Sequence, residues 1–521
     1  MLTLNYMLDR AVRLHGDRPA IVDPEASYTW TEHADRVARA AGVLASLGVE
    51  PGKRFGVVAR NSFRQFEILN AGYWLGAIPV PVNTRLAATE IAYIFENSEC
   101  GLVVVEDCFA GIMEAEELRP WAANVLGIGS SSGGIDRPEY DTLLANAKAL
   151  PMQWPAEDDD AILLYTGGTT GRSKGVRLSH RNIVSDGMAV GFEIESRQDD
   201  VYLHVAPMFH SADLYGTCFT LAGAAHAFLP VFSGRAMLEI MQSLKVSATM
   251  LTPTMIIMAL QEKDFERYDL SSLRHMLYGS SPMAAEWIEK SLKAFKGIEL
   301  VQGYGLTETS PLLTILPMSE HVRAIETGDL EILRGVGRPL PGVELRIRDA
   351  DGNDLPANQP GEIVVRAPNV SLHGYLNRPE ETKKNFRNGW FHTGDIARMD
   401  EHGYIFLLDR MNDMIITGGE NVYSSEVEAA LYQHGDVHEC AVVGVPDETY
   451  GEALLAAIVP APGASLDEQE LIAHCRELIG GYKIPRRYVF LSELPKSAMN
   501  KILKNELRAT YSGEAARKKA S

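Results

Sequence analysis

The sequence predicts an α/β protein with a large N-terminal part of helix-covered, mainly parallel sheets, a β-subdomain and a small α+β module at the C-terminal end. Apolar runs of strand length alternate with helical segments through roughly the first 300 residues, which is typical of parallel sheets covered by helices. Short alternating stretches then replace this pattern and indicate antiparallel β-structure. A chain of 521 residues also exceeds what one hydrophobic core supports, so two or more domains are expected.

The first long helix is predicted from Trp30 to Leu47, because apolar residues recur there at helical spacing and Gly48 ends the run. The elements expected after it are a strand at 55–59, a helix at 63–75, and strands at 78–82, 102–105 and 201–205. This regular alternation of strand and helix is the pattern of consecutive parallel strands joined by helical crossovers.

The β-subdomain and the C-terminal module contain shorter elements. Strands are expected in these parts at 343–347, 362–366, 440–445 and 454–459. Two helices of the C-terminal module are expected to begin at capping boxes, one formed by Ser425 with Glu428 and the other by Ser465 with Glu468.

Composition excludes several classes of protein. A net charge of −20 argues against nucleic-acid or anionic-membrane partners, which would need basic patches. The five cysteines are scattered without a Cys-x-x-Cys pair, so neither a disulfide framework nor a zinc site is expected. We expect a cytoplasmic protein, because no signal peptide is visible and no apolar run approaches the roughly 18–20 residues of a membrane span.

The stretch from Leu163 to Arg177 is a glycine- and threonine-rich loop between two short apolar runs. Glycine lets backbone N–H groups turn toward an anion, and the hydroxyl groups and Lys174 add donors and charge, so the loop suits a polyphosphate. It is not a Walker loop, because Gly175 follows the lysine and the next helix begins only near Ser179. A strand–loop–strand flap over a phosphate is expected; a flexible surface hairpin rich in turn residues is the alternative.

Two later stretches carry further chemistry. His210 ends the stretch Ala-Pro-Met-Phe-His, and a packed core histidine is the alternative interpretation of it. In the stretch 302–309, glycines flank Tyr304, which could stack on a flat ligand, and Glu308 offers a hard oxygen to Mg²⁺. A glycine-rich loop with one exposed acid is the alternative there.

Taken in order, these stretches resemble the adenylate-forming superfamily of acyl- and aryl-CoA synthetases, nonribosomal adenylation domains and luciferases, and most of all the acyl- and aryl-CoA synthetases. The loop is similar to the family's Thr-Ser-Gly-Thr-Thr-Gly-x-Pro-Lys-Gly, with Gly167 and Ser173 as departures. Later stretches of the chain resemble further motifs of the family, which are, in chain order, Pro-x-Phe-His, Gly-Ala-Ala/Ser-Pro, Tyr-Gly-x-Thr-Glu, Trp-x-x-Thr-Gly-Asp and Pro-x-x-x-x-Gly-Lys-Ile. The likeness spans roughly residues 1 to 508, with every motif in family order, although Asn500 replaces the last motif's glycine.

The resemblance implies an N-terminal AMP-binding domain over 1–409 and a mobile C-terminal lid over 410–521, with a hinge near 410–413. Asn412 stands at the pivot, where lysine or aspartate is usual. The implied reaction is ATP-dependent: a carboxylic acid becomes acyl-AMP with release of pyrophosphate, and coenzyme A then gives the thioester and AMP. ATP, Mg²⁺ and coenzyme A are thus the implied cofactors and co-substrates, and a homodimer is common in the family.

The resemblance also implies roles for individual residues. Catalytic roles fall on Lys501, Glu308, His210 and Thr166, with Glu308 also as the metal ligand. Nucleotide contacts are expected from Thr166, Gly167, Gly168, Thr169, Thr170, Gly171, Lys174, Gly279, Ser280, Ser281, Gly303, Tyr304, Gly305, Thr307, Asp395, Arg410 and Lys501. The acyl pocket would be lined by His210, Gly279, Gly303 and Leu306, and the coenzyme A tunnel by Gly418, Gly419, Glu420 and Asn421.

Several alternatives stay open on the sequence. The acceptor could be a carrier protein instead of coenzyme A. The four departures from the family motifs, at Gly167, Ser173, Asn412 and Asn500, leave open a nucleotide-binding regulator that has lost catalysis. A luciferase-type oxidation has no support. Amino-acid-activating relatives usually carry an aspartate at the position of His210, and a buried ammonium without a counter-charge is costly. A hydrophobic acyl or aryl monocarboxylate is therefore expected, in fatty or aromatic acid metabolism, with its chain length and ring preference open.

Overall fold

The computed structural model describes residues 1–129, 139–166, 172–281, 283, 285–411, 413–418, 420–447, 449–496 and 502–517, with side chains up to residue 512. The chain divides into two compact units. The first unit comprises residues 1–345 and 365–391, and the second comprises residues 346–364 and 392–521.

The first stretch of the chain alternates helices and strands as the sequence predicts. Its elements are α1 (Leu4–His15), β1 (Pro19–Asp23), β2 (Ala26–Thr29), α2 (Trp30–Ser46), β3 (Arg54–Val58), α3 (Phe63–Leu75), β4 (Ile78–Pro81), α4 (Ala88–Ser98), β5 (Leu102–Glu106) and β6 (Val125–Ile128). Local chemistry sets the bounds of α3, because the Ser62 hydroxyl accepts from the Gln65 amide and Gly76 ends the helix at a φ of 74°.

The next stretch carries the phosphate-loop hairpin and the rest of the large sheet. Its elements are α5 (Tyr140–Asn146), β7 (Asp160–Thr166), β8 (Lys174–Ser179), α6 (His180–Glu193), β9 (Val201–His204), α7 (Thr217–Ala222), β10 (Ala225–Phe228), α8 (Gly234–Ser243), β11 (Ala248–Leu251), α9 (Pro253–Leu260), β12 (His275–Gly279), α10 (Ala285–Ala294), β13 (Glu299–Tyr304), β14 (Thr314–Leu316), α11 (Met318–Thr327) and β15 (Arg338–Pro339).

The last stretch is richer in β-hairpins. Its elements are β16 (Glu344–Arg348), β17 (Gly361–Arg366), α12 (Pro379–Asn385), β18 (Phe386–Arg387), β19 (Trp390–Met399), β20 (Ile405–Arg410), β21 (Ile415–Thr417), β22 (Glu420–Val422), α13 (Ser424–Leu431), β23 (Val437–Asp447), β24 (Gly451–Pro460), α14 (Glu468–Leu478), β25 (Arg487–Phe490) and α15 (Lys504–Arg517).

The first unit contains two sheets with parallel strands at their centres. The strand order is β4-β3-β5-β6 in one sheet, which is parallel throughout, and β15-β14-β13-β12-β11-β9-β10-β1-β2 in the other. In the larger sheet the run from β13 to β1 is parallel, and the antiparallel strands lie toward its two edges. The predicted class of helix-covered, mainly parallel sheets is confirmed.

Strands β7 and β8 form an antiparallel two-stranded sheet, and two further sheets are rich in antiparallel pairs. One has the order β16-β17-β19-β18, with β20 on β19, and its strands supply residues to both units. The other, in the second unit, has the order β22-β21-β24-β23, with β25 added on β24 in the parallel direction. Alternate residues of β24 belong to two different apolar clusters. Leu454 and Ile458 pack in one cluster with residues of α13 and α14. Leu455 and Ala457 pack in the other with Leu507 of α15.

Both predicted capping boxes of the C-terminal module are wrong. Ser425 lies inside α13, where its hydroxyl donates to the Leu408 carbonyl, and Glu428 pairs with Lys504 at 2.7 Å. The cap of α14 is Asp467, whose carboxylate accepts from the Glu470 amide at 2.9 Å, two residues beyond Ser465. At α13, tertiary partners of Ser425 and Glu428 outweigh local capping. At α14, Asp467 lies nearer the helix than Ser465 and takes the role of the N-cap. Within the described residues, no helix is long and apolar enough to cross a membrane.

Candidate active site

The glycine-rich stretch is carried by a hairpin, as predicted. Strands β7 and β8 pair antiparallel and bring Thr166 opposite Lys174, and α6 begins after its cap Ser179. The loop residues Gly167, Gly168, Thr169, Thr170 and Gly171 lie outside the described residues. The described ends of the hairpin therefore place one hydroxyl and one ammonium group side by side at the base of that loop.

Lys174 and Glu308 both contact Tyr375, the lysine at the aromatic ring and the glutamate at the hydroxyl group. The Lys174 ammonium lies 4.9 Å from the centre of the Tyr375 ring, and the Tyr375 hydroxyl donates to Oε1 of Glu308 at 2.6 Å. Lys174 also lies 3.6 Å from Glu381. Burial, followed by the charge of Glu308, raises the pKa of Tyr375, so its hydroxyl keeps its proton and remains a donor. A cation, a phenol and a carboxylate thus lie together in the first unit.

Two buried residues, Asp186 and Asn369, hold the loop that carries Glu308. Asn369 donates to the carbonyls of Thr309 at 2.9 Å and Leu312 at 2.7 Å, and to Asp186 at 3.1 Å. Asp186 also accepts from the Leu312 amide at 3.1 Å. Burial raises the pKa of Asp186 well above its ordinary value, because desolvation of the carboxylate outweighs its hydrogen bonds from Asn369 and Leu312. This support fixes the backbone that presents Glu308.

Thr307 connects the same loop to the stretch that carries His210. The Thr307 hydroxyl lies 3.0 Å from that of Ser211, and both side chains are buried. His210 is partly exposed, and its Nδ1 accepts from the Ala212 amide at 3.2 Å at the start of a short 3₁₀ turn over 211–216. His210 is therefore a capping residue at the edge of this site, and the packed-core interpretation does not describe it.

Glycines on neighbouring strands permit a close approach of backbones. Gly279 and Gly303 are paired in register at the ends of β12 and β13. A Cβ atom at Gly279 would lie 2.6 Å from the Gly303 carbonyl oxygen, and one at Gly305 would lie 1.9 Å from the Pro311 carbonyl oxygen. Ser280 follows with a φ of 69°, and Ser281 is exposed. Tyr304 and Leu306 continue from β13 toward Thr307.

Asp395 and Arg410, two of the residues expected to contact the nucleotide, lie in the second unit. Asp395 and Arg410 face each other across β19 and β20, with Oδ1 of the acid 3.2 Å from Nε of the arginine. The carboxylate is buried, while the guanidinium is 55% exposed. The Thr393 hydroxyl accepts from the Asp395 amide at 3.0 Å and donates to the Ile363 carbonyl at 2.9 Å. The Thr393 hydroxyl therefore holds the backbone of Asp395 in place within β19.

The predicted coenzyme A stretch also lies in the second unit. Gly418 has a φ of 61° and donates from its amide to the Tyr450 carbonyl at 2.8 Å. Glu420 and Asn421 are exposed in β22, opposite Thr417 and Ile416 of β21. Gly419, Asn412, Asn500 and Lys501 lie outside the described residues.

Sequence reasoning missed residues that hold the site together. Asn61 is buried; it donates to the carbonyls of His204 at 3.0 Å and Ala206 at 2.9 Å, and accepts from the Met208 amide at 2.9 Å. Tyr375 carries the contact between Lys174 and Glu308. The signal for both was weak, because each is a single residue in a loop far along the chain from its partners.

Glu308 suits a magnesium ion that is shared with a phosphate. Mg²⁺ in phosphoryl-transfer sites takes one or two carboxylates and completes its shell with substrate oxygens and water. Glu308 is a single, largely buried carboxylate, and one of its oxygens already accepts from Tyr375, whose ring Lys174 contacts. Among the described residues, no cluster of three or more His, Cys, Asp or Glu side chains could hold a metal ion by itself.

Two family models match the chain. The model described as AMP-binding enzyme matches residues 8–376, and the one described as AMP-binding enzyme C-terminal domain matches residues 426–501. The first match alone covers more than half of the 521 residues. The two matches lie on either side of the predicted hinge at 410–413, whose position stays a prediction.

Curated relatives and solved structures match nearly the whole chain. A feruloyl-CoA synthase of an Amycolatopsis species is 35% identical over 96% of this chain and 98% of that protein. A fatty acid–[acyl-carrier-protein] ligase, ScoC of Streptomyces coeruleorubidus, is 33% identical over 96% of this chain and 95% of its own. The crystal structure of ATP-bound MatB from Rhodopseudomonas palustris has a TM-score of 0.86 and 32% identity, over 98% of this chain and 99% of that one.

Proposed function

The chain belongs to the AMP-binding enzyme family, and from that membership we propose that it is an ATP-dependent acid–CoA ligase. The observation that carries this proposal is the series of contacts from Lys174 through Tyr375 to Glu308, which Thr307 and Ser211 extend to the His210 turn. It joins the base of the phosphate loop to the predicted acid-binding wall within one unit. The CoA-ligase activities named for its relatives also support it.

The chemistry requires activation of a carboxylate, which is a poor electrophile because hydroxide is a poor leaving group. Attack of the carboxylate on the α-phosphorus of ATP forms an acyl-AMP and expels pyrophosphate. Lys174 and the 167–171 loop would bind the β- and γ-phosphates, and Asp395 with Arg410 the ribose. Mg²⁺ held near Glu308 would neutralise phosphate charge when bound, so positioning and charge compensation supply most of the catalysis.

In the second half-reaction the thiol of coenzyme A attacks the acyl carbon and AMP leaves. We assign the adenylation step to Lys501 and the thiol tunnel to the face with Gly418, Gly419, Glu420 and Asn421. A rotation of the C-terminal domain near Asn412 would exchange the two between half-reactions, so that one chain builds two sites in turn.

The substrate we propose is a hydrophobic acyl or aryl monocarboxylate. Of the residues that the structure describes, Asp213 is the one acid that lines the cavity beside His210, and its Oδ1 lies 2.6 Å from Nδ1 of His204. Because that contact occupies Asp213, the carboxylate is a poor counter-charge for a substrate ammonium group. An amino-acid substrate is therefore disfavoured.

ATP–pyrophosphate exchange over a panel of fatty, benzoic and phenylpropenoic acids tests this proposal. The expected result is exchange with some members of the panel, together with release of AMP when coenzyme A is added. Exchange without turnover of coenzyme A would favour a carrier-protein acceptor, the acceptor named for the ScoC relative. Absence of exchange across the panel would favour a nucleotide-binding relative that has lost catalysis.

A further inference from the structure

A chain of buried polar side chains lies directly behind the His210 turn. Nδ1 of His204 lies 2.6 Å from Oδ1 of Asp213, Nε2 of His204 lies 2.9 Å from Nδ1 of His226, and Nε2 of His226 lies 3.0 Å from the Thr220 hydroxyl. Both imidazoles are buried, at 1% and 0% exposure. The chain starts on the 211–216 turn and ends on α7, so it connects two neighbouring segments through the large sheet.

The direction of the first hydrogen bond in this chain is defined. A carboxylate oxygen only accepts, so Nδ1 of His204 is the donor to Asp213. Burial, followed by the charges of His204 and His33, lowers the pKa of His226 well below its ordinary value, so this ring is neutral. A neutral imidazole has one donor and one acceptor nitrogen, and His226 uses both. Loss of any member would therefore leave a buried polar atom without its partner.

Aromatic neighbours fix the planes of both imidazoles. The ring of His204 stacks on Phe228, with centroids 4.9 Å apart and planes 11° apart. The ring of His226 stacks on Phe66, with centroids 4.7 Å apart and planes 29° apart. Because both rings are stacked on aromatic neighbours, these contacts orient Nδ1 of His204 toward Asp213.

The turn needs this fixation because a cavity lies beside it. The residues that line a cavity of about 60 Å³ include His210, Asp213 and Thr217, together with Leu4, Phe66 and Tyr73. Side chains that face empty space lack packing partners there, so packing alone does not hold the turn on this side. Asn61 holds the backbone just before the turn, and the Asp213 hydrogen bond holds the turn itself.

We propose that Asp213, His204 and His226 are positioning residues that hold His210 and the 211–216 turn in the place needed to bind the carboxylic acid. This inference rests on the proposed acid-activating function. It assigns these residues no contact with ATP, and none with the reacting atoms. Their loss is expected to weaken binding of the acid selectively and to leave nucleotide binding nearly intact.

The test compares Asp213→Ala with Asp213→Asn, in the full-length protein, in ATP–pyrophosphate exchange with varied acid or varied ATP. We expect Asp213→Ala to raise KM for the acid at least about tenfold, since it leaves His204 Nδ1 buried and unpaired, and to change KM for ATP less than about twofold. Asp213→Asn keeps an acceptor oxygen and should restore most of the affinity. His226→Leu should act like Asp213→Ala, and the double variant should be little worse than either alone.

Asp200→Ala is the matched control. Asp200 is a buried acid at the opposite end of β9 and pairs with Arg274 at 2.5 Å. This variant should lose stability without a selective change in KM for the acid. If Asp213→Ala does not yield folded protein, Thr220→Val removes only the last hydrogen bond of the chain, and a rise of at least about twofold in KM for the acid is then expected.

The outcomes separate the two proposals. Active wild-type protein whose Asp213→Ala variant shows unchanged KM values, or equal changes for acid and ATP, would overturn the positioning role alone. Wild-type protein without pyrophosphate exchange on any acid would overturn the proposed function, and the positioning role with it.

Discussion

Tyr375 joins the cation of the phosphate hairpin to the candidate metal-binding carboxylate. Replacing it with Phe keeps the ring beside Lys174 and removes the hydroxyl that donates to Glu308. A hydrogen bond to a charged group contributes about 1.5–3 kcal/mol, so kcat/KM for ATP in pyrophosphate exchange should fall about ten- to a hundredfold. Tyr6→Phe, in α1, is the control and should have no effect. An unchanged kcat/KM in Tyr375→Phe would show that Glu308 does not depend on this contact.

Lys501 carries the most specific role inferred from the sequence. Lys501→Ala removes the ammonium expected to neutralise charge between the carboxylate and the α-phosphate. We expect loss of pyrophosphate exchange, with thioester formation from supplied acyl-adenylate largely kept. Measuring the two half-reactions separately tests this, and equal losses in both would show that the assigned role is wrong.

At the residue scale, site residues could be predicted from the sequence where the groups that act together stand close together in the chain. Thr166, Lys174 and Glu308 stand in short motifs whose composition already indicates phosphate and metal chemistry. Tyr375 and Asn61 act through partners far away in the chain, such as Glu308, 67 residues from Tyr375. No local pattern marks such residues, because the partner is set by the fold and not by spacing.

At the element scale, the ends of β12 and β13 depend on glycine. A methyl group at Gly279 would meet the Gly303 carbonyl at 2.6 Å, and backbone cannot yield as a flexible side chain does. Gly279→Ala should therefore lower the melting temperature and weaken adenylation, measured by thermal unfolding and pyrophosphate exchange. Gly101→Ala is the control, since nothing lies within 4 Å of its added methyl group. Equal behaviour of the two variants would contradict this account of the close approach.

Helix α6 brings a buried acid to the Glu308 loop and with it a pH dependence. The pKa of Asp186 is raised by burial above 3.8, its ordinary value, so the folded state binds this proton more tightly than the unfolded state. The bound proton therefore adds to the free energy of unfolding. This stabilisation is fully present below about pH 3.8 and is lost as pH rises through the pKa of Asp186 in the folded state. Asp186→Asn cannot ionise and keeps an acceptor oxygen for Leu312. Its melting temperature relative to wild type should therefore rise with pH above about 4.

Thermal unfolding of both proteins across the acid-to-neutral range measures this difference. A difference that stays constant with pH would mean that Asp186 does not keep its proton in the folded state. Comparison with wild type cancels the titrations of the other buried groups, which both proteins share.

Helices were predictable where the spacing of apolar residues and the residues at the helix ends indicate the same bounds. The helix at 63–75 is found as predicted, since serine precedes it and glycine follows it. The capping boxes failed because the pattern Ser-x-x-Glu recurs by chance, and at α13 both members have tertiary partners, Leu408 and Lys504. Propensity is a weak prior wherever such partners exist.

At the scale of the whole molecule, the order of motifs carried more information than any one of them. Thr-Gly-Asp alone is a common turn, and a lysine-rich end alone is a common solvated tail. Their order from Thr166 to Lys501 predicted the family to which the chain belongs. The acid could not be predicted in the same way, because pocket shape depends on packing among distant segments such as the His210 turn and α3.

The central claim is that one chain activates an acid with ATP and passes it to coenzyme A. The most direct measurement is the yield of acyl-CoA and of AMP from one acid, ATP and coenzyme A, with omission of each component in turn. We expect acyl-CoA and AMP in equal amounts, and neither product when the acid, ATP or coenzyme A is missing. Pyrophosphate exchange on that acid without any acyl-CoA would contradict the claim and leave coenzyme A excluded as the acceptor.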